Sequence, residues 1–316
     1  MSKFTIKKNE VGQRLDKFLN EKIKFITRSQ LQKLIKNEGV LVNGEKTSVH
    51  HFLKEGDEIK LVSPKEAKIE NNKVIIDKKT NAPNLKFKVV KKTKDYIVID
   101  KPAGLLVHEA SGFDETTLVD LVIKKYPDIK KVGDNPLRPG IVHRLDREVS
   151  GLMVMARNLD MFEHLKKQFK RRKTKKEYIV LVYGTPQKDD GIINFNIDRS
   201  KTMDYKMAAV PEHEDRGRKA ITEFELIERI GNYSLLKLTP HTGRTHQIRV
   251  HLNAYGLPIV GDLVYHPKKL KIKIKMQRIF LHAQLLGFND LKGNWQEFES
   301  KLPKELTEIT EKLKNS

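Results

Sequence analysis

The stretch RPGIVHRLDREVSGLMVMAR (residues 138–157) changes character midway and indicates how the larger part of the chain folds. Its first half follows a Pro–Gly pair and carries His143, Arg144 and Asp146, a composition that is typical of a loop. Its second half, GLMVMAR, is a short apolar run, which is typical of a buried strand. The sequence therefore predicts a chemically distinctive loop that leads into a core strand.

Further strand-like runs lie on both sides of this stretch: KFKVVKKT, DYIVIDKP, EYIVLVYG, YSLLKLTP and RIFLHAQLLGF. Helical apolar spacing occurs in TTLVDLVIKKYP and in DMFEHLKKQFKRR, where Met161, Leu165 and Phe169 share one face. Strands outnumber helices and do not alternate with them regularly. Residues 87–316 are therefore predicted to form an α+β domain built on a mixed, mostly antiparallel sheet.

The N-terminal part, residues 1–62, has a different pattern. Leu15, Phe18 and Leu19 have helical spacing, and a second helix is predicted in TRSQLQKLIKNEG, which begins at Thr27. An Asn43–Gly44 pair between short apolar runs predicts a hairpin, and HFLKEGDEIKLV predicts a closing strand. This pattern indicates a small helix-and-hairpin domain. Residues 63–86 are polar and are predicted to be a linker.

The charge of the chain favours a polyanionic partner. The sequence has 316 residues, which fits two domains, and its formal net charge is +21, with 62 Lys and Arg against 41 Asp and Glu. This excess attracts nucleic acid, although an anionic membrane would be attracted as well. Arg28, Lys33 and Lys36 of the second predicted helix are either a solvated face or RNA contacts.

The sequence contains no cysteine, which excludes disulfides, thiolate catalysis and Cys-type zinc or iron–sulfur sites. It begins without an apolar segment of signal-peptide length, and no apolar stretch approaches a membrane span. We therefore expect a cytoplasmic location with no membrane partner, and a monomer.

Asp146 is the residue most suggestive of chemistry. A carboxylate flanked by Arg144 and Arg147 is expected to stay ionised, because nearby positive charge favours the charged form. From the residues alone, it is a nucleophile, a general base or half of a structural salt bridge.

Several segments together resemble a known enzyme family. HRLDREVSGLMVMAR resembles the signature loop of the RluA-type pseudouridine synthases, which runs His-Arg-Leu-Asp, two residues, Thr-Ser-Gly. DYIVIDKPAGLLVH, KKEYIVLVYG, TGRTHQIRVHL, GLPIVGD and LHAQLLGF resemble the other segments of that family, in the same order. The N-terminal unit resembles an S4 domain, a small RNA-binding module that is usual in the longer members.

The resemblance implies isomerisation of specific uridines to pseudouridine in structured RNA, with large-subunit ribosomal RNA as the expected substrate and with no cofactor. It assigns Asp146 as the nucleophile, which attacks C6 of uracil or C1′ of the ribose. It assigns Arg244 as the arginine that pairs with Asp146, and Tyr178 as the ring that stacks on the base and handles the C5 proton. It assigns Arg144 to the RNA stack from which the uridine is flipped.

Val149 departs from the family pattern, which has threonine before the Ser-Gly pair. If that hydroxyl helps to hold the loop, its loss slows catalysis or shifts the role to Ser150. Because valine is a β-branched isostere that keeps the packing, the departure does not predict an inactive enzyme.

The run KKQFKRRKTKK, with Lys170, Arg171 and Arg172, is either solvated charge or a set of phosphate contacts. The run KKLKIKIKMQR offers the same alternatives. His246 and His251 are five residues apart, off the spacing of a helical zinc pair, so no metal site is predicted.

Two other function classes compete with the synthase. The first is an inactive RNA-binding or ribosome-assembly factor, favoured by Val149 and opposed by the intact Asp146, Tyr178 and Arg244. The second is a glycosidase, which typically needs a second carboxylate as its acid. Glu148 is adjacent to the loop, but nothing in the sequence directs its side chain inward.

Overall fold

The computed structural model describes residues 3–23, 31–32, 34–35, 38–61, 67–70, 73–76, 86–108, 115–200, 203, 206–211, 213–267, 274 and 276–315. In residues 67–70 and 73–76 it describes the backbone only. Two compact units are present, one within Met1–Asn81 and one formed by Ala82–His108 and Thr116–Ser316. The predicted limits of the domains and the linker stay predictions.

The first unit is a small sheet with a helical layer. Its elements are β1 (Lys3–Thr5), α1 (Leu15–Lys22), β2 (Val40–Val42), β3 (Glu45–Lys46) and β4 (Glu58–Leu61). The strand order is β1-β4-β2-β3, and β2 pairs antiparallel with β3 across Asn43 and Gly44, both of which have positive φ. The predicted hairpin is therefore confirmed.

The apolar side chains predicted to face inward in this unit do so. Leu15, Phe18 and Leu19 of α1 are buried in one cluster with Leu31 and Ile35, which are helical. Thr27 and the cationic residues Arg28, Lys33 and Lys36 lie outside the described residues. Within the predicted linker, β5 (Ala67–Glu70) and β6 (Lys73–Ile76) pair as an antiparallel hairpin, which the polar composition did not predict.

The second unit contains eleven strands and four α-helices among its described residues. The strands are β7 (Lys88–Lys92), β8 (Tyr96–Lys101), β9 (Ser150–Ala156), β10 (Lys175–Tyr183), β11 (Asp190–Ile193), β12 (Asn196–Arg199), β13 (Met207–Val210), β14 (Thr222–Ile230), β15 (Tyr233–Pro240), β16 (Leu281–Asn289) and β17 (Trp295–Glu299). The helices are α2 (Leu118–Lys125), α3 (Leu159–Lys170), α4 (Gln247–Ala254) and α5 (Lys304–Lys314). Short 3₁₀ turns occur at Lys8–Glu10 in the first unit and at Pro127–Lys131 in the second.

Nine of the strands form one sheet in the order β11-β14-β15-β10-β16-β9-β8-β7, with β17 paired to β16. The β9–β16 pair is parallel, and the other neighbouring pairs are antiparallel. The predicted α+β class with a mixed, mostly antiparallel sheet is therefore confirmed. Strands β12 and β13 form a separate two-stranded sheet.

The central strands are buried on both faces, which explains why their sequences read as continuous apolar runs. All residues of β9 are buried, and Met153 and Met155 join a different apolar cluster from Leu152 and Val154 because successive side chains point to opposite faces. Helix α2 covers the first cluster and α3 covers the second. The loop that carries Asp146 therefore leads into a strand that is covered on both faces.

Strands β11, β12, β13, β14 and β17 and helix α5 were not predicted. In β14, TEFELIERI, Glu223 and Glu225 alternate with the buried Phe224 and the half-buried Leu226, so the continuous apolar run that marked the central strands is absent. None of the described helices has the length and apolar character to span a membrane.

Candidate active site

A cavity of about 660 Å³ opens where three predicted segments meet. The loop before β9 contributes Asp146, β10 contributes Tyr178, and the turn before α4 contributes His246. Because β9 and β10 both pair with β16, residues that are far apart in sequence lie close together. The structure therefore places Asp146 and Tyr178 in the walls of one cavity, as the resemblance implied.

Asp146 faces a buried arginine. Arg249 Nη1 lies 3.6 Å from Asp146 Oδ2 and 3.8 Å from Oε2 of the exposed Glu148. The Nε and Nη2 atoms of Arg249 donate to both oxygens of Asp262, at 2.7 and 2.8 Å. Burial lowers the pKa of Arg249, but the hydrogen bonds and charge of Asp262 outweigh that effect and hold the pKa above its ordinary value. This paired carboxylate fixes the guanidinium, and the guanidinium presents one charged edge to Asp146.

The predicted pairing of Arg244 with Asp146 is wrong. Arg244 lines the cavity, but its Nε donates to the Lys219 carbonyl at 3.1 Å. Burial lowers the pKa of Arg244, and the charges of Arg218 and Arg172 lower it further. Arg244 lies in the turn before α4, whereas Arg249 lies on the inward face of the helix. The arginine that contacts Asp146 therefore lies five residues after the arginine that was predicted from the sequence.

The turn before α4 is held by the buried side chain of Gln247. Its Oε1 accepts hydrogen bonds from Thr242 Oγ1 at 2.7 Å and from the Arg244 backbone N–H at 3.0 Å. Its Nε2 donates to the Ile221 carbonyl at 3.0 Å and to Thr222 Oγ1 at 2.9 Å. These bonds tie the turn to β14 and fix the direction in which the first residues of α4 point.

A buried lysine ties a second loop to the loop of Asp146. Lys101, at the end of β8, is fully buried, and its Nζ donates to the carbonyls of Pro102, Leu105 and Arg147 at 3.0, 2.8 and 3.1 Å. The Gly104 N–H also donates to the Arg147 carbonyl, at 2.8 Å. Burial, together with the Arg278 charge, lowers the pKa of Lys101 to about 7. Lys101 thus fastens the backbone next to Asp146.

Val149 takes a packing role in this loop. It is 3% exposed and belongs to the main apolar cluster, while its N–H donates to the Asp146 carbonyl at 3.2 Å and closes the turn. The Ser150 hydroxyl is occupied elsewhere, accepting from Arg278 Nη2 at 2.7 Å and lying 2.9 Å from His282 Nδ1. The turn is therefore closed by a backbone hydrogen bond and by the packing of the Val149 side chain.

His143 is a wall of the cavity. Its ring stacks on Phe169 at 4.5 Å between centroids, and the Val154 N–H donates to its Nε2 at 3.0 Å. Burial, aided by the Lys176 charge, lowers its pKa to about 3, so the ring is neutral. Among the described residues there is no group of three or more His, Asp or Glu side chains arranged to hold a metal ion.

Tyr178 lies on β10 at a break in the β10–β16 register between Glu177 and Tyr178. Such breaks re-aim a side chain, and here the ring is half-buried and lines the cavity. Burial and then the negative charge of Asp146 raise the pKa of the Tyr178 hydroxyl. The hydroxyl is therefore protonated near neutral pH and is a hydrogen-bond donor in the resting enzyme.

The cavity is basic. Asp146 is the single carboxylate among its described lining residues, and Glu148 does not line it. The lining cations besides Arg249 are Arg138, Arg144, Lys170, Arg172, Lys176 and Arg244. Of the RNA-contact residues predicted in this unit, Arg144, Lys170 and Arg172 thus reach the cavity, whereas the exposed Arg171 does not.

Comparison with known proteins agrees with this fold and cavity. The RNA pseudouridylate synthase family matches residues 95–254, and the S4 domain family matches residues 13–59. An uncharacterized RNA pseudouridine synthase of Chloroflexus aurantiacus is 38% identical over 307 residues, which cover 97% of this chain and 92% of the relative. The ribosomal large subunit pseudouridine synthase D of Borreliella burgdorferi is 34% identical over 310 residues, with 95% and 89% covered.

Among solved structures, human RNA pseudouridylate synthase domain containing 1 superposes with a TM-score of 0.57 at 24% identity, covering 74% of this chain and 97% of the human chain. That likeness shows the fold. The fold and the sequence relatives together define a uridine-isomerising enzyme of RNA. The chain belongs to the RNA pseudouridylate synthase family and carries an S4 domain in its N-terminal part.

Sequence reasoning missed three residues of the site, Lys101, Arg249 and Asp262. Each is a charged residue beside an apolar run, in DYIVIDKP, QIRVHL and GLPIVGD. A charged side chain next to core positions is rarely buried without a partner. That signal was present in the sequence, but it did not say which partner each charge would meet.

Proposed function

We propose that this RNA pseudouridine synthase modifies specific uridines of large-subunit ribosomal RNA, with Asp146 as the nucleophile. The observation that carries the proposal is that Asp146, the one carboxylate among the described lining residues of a basic cavity, faces an arginine that is itself fixed by Asp262. An ionised carboxylate with one positioned cation is suited to covalent attack. The name of the Borreliella burgdorferi relative supports the ribosomal target.

The reaction needs no oxidant or reductant. The N1–C1′ bond of uridine breaks, a C5–C1′ bond forms, C5 loses its proton and N1 gains one, so the atoms of substrate and product balance. One carboxylate anchors the reacting nucleotide during this exchange, whether it attacks C6 of the base or C1′ of the ribose. Both routes use Asp146, and both need the uridine outside the RNA stack.

The cavity accommodates a flipped nucleotide. Its volume of about 660 Å³ lies within the range of small-molecule sites. Tyr178 offers a flat ring on which the extruded base can stack, and Arg144, exposed at the cavity, offers a guanidinium for the vacated position in the RNA. The protonated Tyr178 hydroxyl is the group that we propose for handling the C5 proton.

Asp146→Asn tests the nucleophile. The amide keeps the shape of the side chain but is a poor nucleophile, so isomerisation is expected to stop while RNA affinity and folding stay near wild type. The matched control is Glu148→Gln, which makes the same chemical change in the exposed carboxylate two residues away. Multiple-turnover pseudouridine formation by pure Asp146→Asn enzyme would refute the assignment.

The same pair of variants separates the synthase from a glycosidase. A hydrolase would release free uracil and would depend on a second carboxylate. Because Glu148 does not line the cavity, Glu148→Gln is expected to retain activity, and free uracil is not expected from either variant. An inactive binding protein would give no pseudouridine even with the wild-type chain.

Lys170 and Arg172 are proposed to contact phosphates at the cavity. Replacing both with glutamine is expected to weaken RNA binding and to flatten the slope of log affinity against log salt by about 0.7–0.9 per lost contact. Arg171→Gln is the matched control, since this exposed arginine lies between the two but does not line the cavity. Equal slopes for the double variant and the control would contradict the proposal.

The ribosomal target is tested by mapping pseudouridines in total RNA from cells with and without the gene. Loss of sites confined to transfer RNA would contradict it. The cytoplasmic location and the monomeric state are proposals that rest on the sequence alone.

A further inference from the structure

The two oxygens of the Asp146 carboxylate have different surroundings. Oδ2 lies 3.6 Å from Arg249 Nη1 and 4.0 Å from His246 Nε2. Within the part of the chain that the structure describes, Oδ1 accepts no hydrogen bond. Both nitrogen donors therefore lie nearest to the same oxygen, Oδ2.

The ring of His246 is oriented by Tyr265. His246 Nδ1 lies 2.8 Å from Tyr265 Oη, which in turn accepts the Met207 backbone N–H at 2.8 Å. Tyr265 is 6% exposed, so its hydroxyl has little access to water as an alternative partner. The chain of contacts runs from the backbone of β13 through the tyrosine to the imidazole.

This chain favours one tautomer of the His246 ring. With its oxygen accepting from Met207, the Tyr265 hydroxyl is free to donate to His246 Nδ1. A neutral imidazole that accepts at Nδ1 is protonated at Nε2, and Nε2–H then points toward the Asp146 carboxylate. The opposite tautomer would set the lone pair of Nε2 against a carboxylate oxygen. Burial lowers the pKa of His246, although the charge of Asp146 opposes this shift. The lowered pKa favours the neutral ring.

The backbone at His246 is held in an uncommon conformation. Its φ of 55° lies in the left-handed region, where a residue other than glycine costs on the order of 1 kcal/mol. The Gln247 hydrogen bonds to Thr242 and Arg244 maintain the turn against this cost. Left-handed non-glycine residues that surrounding contacts enforce are concentrated at functional sites.

We propose that His246, oriented by Tyr265, is a positioning residue that donates from Nε2 to Asp146 Oδ2 in the RNA complex and leaves Oδ1 as the attacking oxygen. The distance of 4.0 Å in the free enzyme shortens to a hydrogen bond when RNA is bound, because hydrogen bonds in active sites tighten on substrate binding. Arg249 Nη1 faces the same oxygen at 3.6 Å. The inference rests on the proposed role of Asp146 as nucleophile.

The experiment compares His246→Ala, His246→Gln and Tyr265→Phe. Single-turnover rates at saturating RNA are measured separately from RNA affinity, and thermal denaturation checks folding. His246→Ala is expected to lower the rate by about a hundredfold, the effect of a misplaced reacting group, with affinity unchanged. His246→Gln, whose amide can donate to Oδ2, is expected to recover about tenfold of that loss, the value of one hydrogen bond.

Tyr265→Phe keeps the ring beneath Arg249 and removes only the hydroxyl, so a loss of about fivefold is expected. If the hydroxyl acts through His246, adding Tyr265→Phe to His246→Ala causes no further loss. If it acts by anchoring Met207, the two losses multiply, and the proposed chain of contacts is refuted. Tyr255→Phe is the control that is expected to match wild type, because Tyr255 lies at the C-terminal end of α4 and is 39% exposed.

Two further outcomes overturn the inference. A wild-type rate for His246→Ala would show that Oδ2 needs no second donor, and a loss of affinity alone would make His246 an RNA contact. Either result leaves Asp146→Asn inactive if the nucleophile assignment holds. An active Asp146→Asn enzyme would instead refute the proposed function itself, so the two failures are distinguishable.

Discussion

Arg249→Met removes the guanidinium that joins Asp146 to Asp262. The Arg249 side chain is 5% exposed and that of Asp262 is fully buried, so the variant leaves a buried carboxylate without its cation. Breaking such a pair typically costs about 3–5 kcal/mol of the free energy of unfolding. We expect a loss of that size for the single variant.

The catalytic effect is expected to be separable from this loss of stability. In Arg249→Met/Asp262→Asn, the buried charge is gone, and the amide oxygen introduced at position 262 can still accept the backbone N–H groups of Val264 and Tyr265, which donate to Asp262 at 2.9 Å. Most of the stability is therefore expected to return. The contact at 3.6 Å from Asp146 is still missing, and about 2 kcal/mol for a charge-assisted contact corresponds to a rate roughly 30-fold lower.

The assay is single-turnover pseudouridine formation at saturating RNA, with urea unfolding measured in parallel. Both Arg249 variants lack the contact to Asp146, so the lower rate is expected in both. Arg244→Met is the matched control, because Arg244 lines the cavity without contacting Asp146. An equal loss of rate in Arg244→Met, or a wild-type rate in the double variant, would refute the pairing of Arg249 with Asp146.

Three more variants test the surroundings of the carboxylate. Tyr178→Phe keeps the stacking ring and loses the hydroxyl, so the saturated rate is expected to fall about a hundredfold; a wild-type rate would assign stacking as its whole role. Lys101→Met removes the lysine donor from three backbone carbonyls, of which that of Arg147 keeps the Gly104 N–H, and is expected to lower the free energy of unfolding by about 3 kcal/mol, seen in urea titration; an unchanged midpoint would contradict that role. Val149→Thr puts a hydroxyl at a position 3% exposed, so it is expected to cost about 1–2 kcal/mol of stability without raising the rate, and a several-fold faster enzyme would count against the packing role.

Much of the fold was predictable from local patterns. The apolar run at β9 became a strand buried on both faces, and Leu15, Phe18 and Leu19 became the inner face of α1. Strand β14 was missed because its glutamates interrupt the apolar run, and it forms a strand because β11 and β15 supply hydrogen-bonding partners on both sides. Pairing of this kind is non-local, and no short window of sequence contains it.

The sequence by itself identified the segments that meet at the candidate active site. Asp146 in its loop, Tyr178 at the start of β10 and the Thr-Gly-Arg-Thr-His turn were all recognisable, and the structure brings all three to one cavity.

Only the tertiary structure decided which charges meet. Arg244 and Arg249 lie five residues apart in one motif, and the orientation of α4 against the sheet determines that Arg249 faces Asp146. That orientation depends on the Gln247 bonds to β14 and on Asp262, which lies beyond the helix. A salt bridge is a contact over a few ångströms between distant parts of the chain, so its partners are set by packing and cannot be read from spacing along the sequence.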